Sequence, residues 1–150
     1  VTTVTKATLG RNLPKYIAGV IKYNCTDFGD RVYKSNVEKQ EANDKLPACV
    51  IDITTSGFKK LGIEATKNRA VPCLLRIDVW AQDIKTRDIL SDLIQTTLMN
   101  PYATDGEYTL AQNYLQCNGV SAIVADRWME NYHKLIRVMT ITADMRYYGA

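Results

Sequence analysis

Between Val71 and Asn100 the apolar positions change period once, from every second residue to every third or fourth. Cys73, Leu75, Ile77, Val79 and Ala81 alternate with Arg76, Asp78 and Gln82, as in a strand with one covered face. Trp80 falls on the polar side of that strand. An indole placed there predicts that another surface, from this chain or a partner, sits over it. After a polar corner, Ile84, Leu90, Leu93, Ile94, Thr97 and Leu98 recur at helical spacing, opposite Arg87, Asp88, Asp92 and Gln95. A long helix therefore covers the strand, and truncating Leu93 to alanine is expected to cost about 2–5 kcal/mol.

The remaining segments read in the same way. Leu13, Ile17, Val20 and Ile21 form the stripe of a smaller helix between Asn12 and Tyr23, with Pro14 in its first turn and Gly19 weakening it. Gly29 to Pro47 is dominated by charged and amide residues. It is expected to supply no core and to form a mobile loop or an extended arm, in which Val32, Tyr33 and Val37 are able to pair with something. Pro47 introduces a second strand, Ala48 to Thr54, with Cys49, Ile51 and Ile53 inward and Asp52 and Thr54 outward. Asn100 and Pro101 end the long helix, and a polar loop with Tyr102, Tyr108 and Tyr114 follows as far as Asn118. Val120–Trp128 and Leu135–Tyr147 then form a terminal antiparallel hairpin turning near Asn131.

These elements predict one domain over residues 1–150, of α+β class. A mainly antiparallel four-stranded sheet carries the long helix and the smaller N-terminal helix on one face. The other face presents Asp52, Thr54, Arg76, Asp78, Trp80, Thr140, Thr142, Asp144 and Arg146, a mixed surface that suits water or a neighbouring subunit.

A hydrophobic fraction of 46% over 150 residues is enough for one packed core. With 19 Lys and Arg against 16 Asp and Glu, the net charge of +3 falls short of the field expected of a dedicated nucleic-acid binder. The densest positive segment is the loop Phe58–Ala70, with Lys59, Lys60, Lys67 and Arg69 against Glu64. No apolar run reaches the roughly 20 residues of a membrane span, and Val1–Lys6 lacks the order of a signal peptide, so synthesis in the cytoplasm is expected. Cys25, Cys49, Cys73 and Cys117 are widely spaced without a Cys-x-x-Cys pair, which fits buried thiols better than disulfides or zinc.

Catalytic chemistry finds little support. The lone imidazole, His133, sits beside a turn; Cys117 is the least unfavourable thiol to pair with it, and a surface or buried cysteine with a solvated turn histidine is the expected reading. Gly57 and Gly62 have the spacing of a phosphate loop, but Ile63 and Glu64 stand where Lys and Ser or Thr are required. Asp52, Asp78 and Asp144 would hold a divalent cation for a small nuclease only if they met, and Arg76 and Arg146 are placed to neutralise them in a cross-strand charge ladder. The basic loop would touch phosphates if it served a nucleic-acid module. Tyr102, Tyr108, Tyr114, Trp80 and Trp128 are candidate contact anchors.

Leu46–Asp52, the loop through Leu61, Gly62 and Ile63, the run Leu75–Asp83 (LRIDVWAQD), and Arg87, Asp88, Leu90, Leu93 and Ile94 together resemble the tail-terminator proteins of long-tailed bacteriophages. With the closing strand Ile136–Tyr148, the likeness covers around half of the chain. It implies a virion protein: one subunit of a ring, commonly sixfold, at the head-proximal end of the tail tube, which stops polymerisation and provides the head-docking surface. The implied partners are further copies of the chain, the tube protein, a neck or head-completion protein and the tail sheath, with no cofactor, membrane or specific nucleic acid. Another neck or tail-completion component is the alternative in the same class. A closing ring needs two unlike patches on one subunit. Candidates are the arm 29–47 with Glu38, Lys39 and Glu41, the basic loop with Lys59, Lys60, Lys67 and Arg69, and Arg76, Trp80 and the three tyrosines.

Overall fold

The computed structural model describes residues 3–5, 8–33, 46–56, 71–100, 109–129 and 133–149. The elements follow in the order α1 (Leu9–Asn24), β1 (Val32–Tyr33), β2 (Ala48–Ser56), β3 (Val71–Ala81), α2 (Ile84–Met99), β4 (Leu115–Val124), β5 (Arg127–Met129) and β6 (Lys134–Tyr147). The sheet is ordered β1-β2-β3-β6-β4, with β5 pairing onto the start of β6. β1 runs parallel to β2 and all other pairs are antiparallel. The α+β class holds, but the sheet is six-stranded and mixed rather than four-stranded. Its four antiparallel members β2, β3, β6 and β4 are the core of it.

Both helices pack on one face, α1 over β1 and β2, and α2 over β3, β6 and β4. Between them and the sheet lies the main core, built from Leu9, Leu13, Ile17 and Ile21 of α1, Leu90, Ile94 and Leu98 of α2, and inward residues such as Ile51, Leu75, Ile77 and Ile141. Burial of this apolar surface is the dominant force holding the layers together.

α1 is not the smaller helix: each helix has 16 residues. Its apolar stripe begins one turn earlier than expected, at the fully buried Leu9. The segment before it is tied to the far end of the chain, since the Val4 N–H donates to Asn113 Oδ1 (3.1 Å) and the Tyr147 hydroxyl to the Val4 carbonyl (3.2 Å). Pro14 consequently lies in the second turn, where its missing N–H leaves the carbonyl of the exposed Gly10 to water.

The expectation that Gly29–Pro47 contributes nothing to the core is corrected at its first residues. Val32 is buried, and β1 joins β2 through the Val32–Cys49 and Tyr33–Val50 pairs. The Cys49 N–H donates to the Arg31 carbonyl (2.9 Å) and Arg31 Nε to the Pro47 carbonyl (2.9 Å), holding the two chain segments together. Residues 34–45 lie outside the described residues. Likewise Asn100–Asn118 is not loop throughout: a 3-10 turn at Ala111–Asn113 leads directly into β4, and Tyr16 donates its hydroxyl proton to the Thr109 carbonyl.

The terminal hairpin is longer than expected. Val124 pairs with Met139 and Arg127 with Ile136 in one unbroken register, so β4 and β5 are a single ribbon along β6, interrupted only at Ala125–Asp126. The turn falls between 129 and 134, close to the predicted position. β3 ends at Ala81, opposite Arg137, so the tip of the ribbon projects beyond its neighbours. All four cysteines are free and buried, and burial, aided by the nearby Asp27 carboxylate, pushes the Cys25 thiol up to about 12. Among the described residues no helix is long and apolar enough to cross a membrane.

Candidate protein-contact surface

Trp80 is covered by its own chain. It sits in a row with Ala48 and Val138 across three strands, and these three, with Val50 and Ile136, form a small second core on the face away from the helices. The Arg127 guanidinium lies 5.2 Å from the indole centroid, a cation–π contact. Trp80 is only 3% exposed, so it cannot serve as the expected contact anchor while the sheet is intact.

One row along, Asp78 is buried beneath two guanidinium groups, with Arg76 Nη2 at 3.2 Å and Arg127 Nη2 at 3.8 Å. Arg76 stays half-open to solvent. Asp52 lies opposite Arg76; burial raises its carboxyl above the ordinary value, Asp78 adds to this, and Arg76 opposes it. Farther along β6, Arg146 Nη2 donates to Asp144 Oδ2 (3.2 Å). The predicted cross-strand ladder is present only in part: Asp52 faces Arg76 and Arg127 reaches Asp78 across strands, whereas Arg76–Asp78 and Arg146–Asp144 are pairs two apart on one strand, whose side chains share a face by the strand period. Asp52, Asp78 and Asp144 are not gathered, because Asp52 is in the row of Thr142 and Asp144 is two residues farther along β6. Cys117 is near the root of the hairpin, opposite Met145, and His133 is at its tip, so the two are not a catalytic pair.

At the other end of the hairpin, Asp126 locks the tip to α2. Arg87 Nη1 reaches both oxygens of Asp126 at 2.9 Å, Arg137 Nη1 donates to Oδ2 (3.1 Å), and the Val138 N–H donates to Oδ1 (2.8 Å). Arg87 Nε turns back to Asp88 (2.9 Å). Burial raises the Asp126 carboxyl, but the Val138 N–H and the two guanidinium groups outweigh it and hold it below the usual carboxylate range. Arg87, expected on the polar side of its helix, is buried. Neither Asp126 nor its role was legible from periodicity; the one signal was a carboxylate ending the uncharged run before it.

This lock holds out a pair of large apolar side chains. Trp128 and Leu135 face each other across β5 and β6 and are 58% and 43% exposed. A cross-strand aromatic–aliphatic pair on a projecting ribbon has its own partner but buries little surface without a second molecule. Of the other candidates, Tyr114 is exposed at the start of β4, with a left-handed backbone (φ 57°). Glu38, Lys39, Glu41, Lys59, Lys60, Lys67, Arg69, Tyr102 and Tyr108 lie outside the described residues.

Compared with models of known protein families and with curated proteins, the chain matches none.

Proposed function

We propose that this chain is a structural subunit of a bacteriophage tail, a tail terminator that assembles as a ring on the head-proximal end of the tail tube. The reading rests on the resemblance of the β2, β3 and α2 sequences to that family. The observation that carries it is the projecting ribbon, where Asp126 anchors the tip to Arg87 while Trp128 and Leu135 stand in solvent. An arm anchored at Asp126 and carrying an exposed apolar pair suits contact with a neighbouring subunit, because the hydrogen bonds that hold it are already made before it docks. The ring then stops tube growth by covering the tube's last surface and offering a different one to the neck.

Electron microscopy of the protein mixed with tail tubes tests the reading: caps at one tube end are expected. Rings along the tube or at the opposite tip would overturn it. Trp128→Ala is expected to abolish capping with its unfolding midpoint in denaturant unchanged, since more than half of the side chain is already in water.

A further inference from the structure

Among the described residues β4 is the last strand of the sheet and its outer edge is open. The Ala125 N–H donates to the Val138 carbonyl (2.8 Å), and by the alternation of an antiparallel ladder Ser121 and Ile123 also turn their backbone groups toward β6. The N–H and C=O groups of Val120, Ala122 and Val124 therefore point away from the sheet. Among the described residues nothing bonds to them. Side chains there are exposed on both faces, Ile123 at 66% and Val124 at 54%.

Solitary proteins blunt such an edge with charge, proline or irregularity. β4 has its one irregularity at Asn118, and beyond it Gly119–Val124 carries neither charge nor proline. Indeed no Asp, Glu, Lys or Arg occurs from Tyr108 to Ala125. That absence bears on who the partner is. When a strand pairs with its own copy, any charge near the centre of the pairing meets the same charge, which is destabilising.

We propose that β4 pairs antiparallel with β4 of a second copy across a two-fold axis at Ala122. The outward groups select the register. Val120 then lies opposite the partner's Val124, and Ala122 opposite the partner's Ala122, so each outward position meets an outward position. The helix-side faces meet as Val-Ala-Val on Val-Ala-Val, with the small alanine at the axis. On the other face Ser121 lies opposite the partner's Ile123. The contact is isologous and closes at two copies. It is independent of the head-to-tail contact that a ring requires, and stands whether or not the chain caps tails.

The test is sedimentation equilibrium of the full chain over a wide concentration range. A monomer–dimer equilibrium is expected. Ala122→Glu and Ala122→Lys each set like charges face to face and should raise the dissociation constant about tenfold or more, while mixing the two variants restores dimers. Ala122→Pro removes the outward N–H at the axis and spares the β4–β6 ladder, so it should give monomers with unchanged thermal unfolding; Ser121→Pro removes an inward N–H and should lower the unfolding midpoint. A monomer at every concentration, or an oligomer that no Ala122 variant weakens and mixing does not restore, overturns the proposal.

Discussion

α1 and α2 are the same length and lie on the same face of the sheet, yet they are held there differently. α1 buries an apolar stripe of Leu9, Leu13, Tyr16, Ile17, Val20 and Ile21. α2 buries Arg87, Ser91 and Thr97 together with Leu90, Ile94 and Leu98, and leaves Ile84, Ile89, Leu93 and Met99 exposed. The hydroxyl of Thr97 satisfies itself by donating to the Leu93 carbonyl (2.8 Å). In α1 the buried face carries no charged group. In α2 the buried face also holds a charged group: Arg87 lies in line with Leu90, Ile94 and Leu98 and pairs with Asp126, while Leu93 lies at the margin of that face. Apolar spacing located the centre of the buried face in both helices, but not the arginine that shares it in α2.

Four measurements break or sharpen that contrast. Arg87→Ala leaves Asp126 without its closest guanidinium in a largely buried site and should cost about 3–5 kcal/mol in denaturant unfolding; a loss like that of a surface residue would mean that α2 is held by its leucines alone. Leu13→Ala and Ile94→Ala, one fully buried residue from each helix, should each cost about 2–5 kcal/mol, and a clear inequality between them would show which helix the sheet depends on.

Acid titration gives a smaller effect. The Asp126 carboxyl is lowered in the folded state, so its contribution is complete above the ordinary value of 3.8 and is lost as pH falls through the depressed folded value. Asp126→Asn should flatten that part of the stability–pH curve; an unchanged slope would remove the lock from the account. Smallest of all, Leu93→Ala should change stability by about 0.5 kcal/mol or less, not by the core-sized amount its spacing suggested, because Leu93 is 39% exposed.

Much of the framework was readable from residue patterns. The strand 71–81 and the helix after it fall where the change of period puts them, and the last described pair of the hairpin, Met129 with Lys134, brackets the expected turn. The alternation that put Cys49 and Ile51 in the main core was also right. Three features escaped. The N-terminal helix extends back to Leu9, and Val4 ahead of it is tied to Asn113 and Tyr147, more than a hundred residues away. β1 is two residues long, too short to show a period. Part of the cover over Trp80 comes from Arg127, which the hairpin carries over the indole from more than forty residues away.

For the contact surface, the aromatic Trp128 was a fair candidate, whereas Trp80 was not, and nothing local distinguishes two tryptophans on strand-like runs. Their difference is position: Trp80 is in the middle of the sheet and Trp128 is past its end. Local order followed from the chain's own alternation of apolar and polar residues, because strand and helix periods act over a few neighbours. Which apolar residues vanished into the core, and which stayed exposed, depended on contacts between distant segments. Those contacts, the Asp126 lock above all, exist only once the layers have come together.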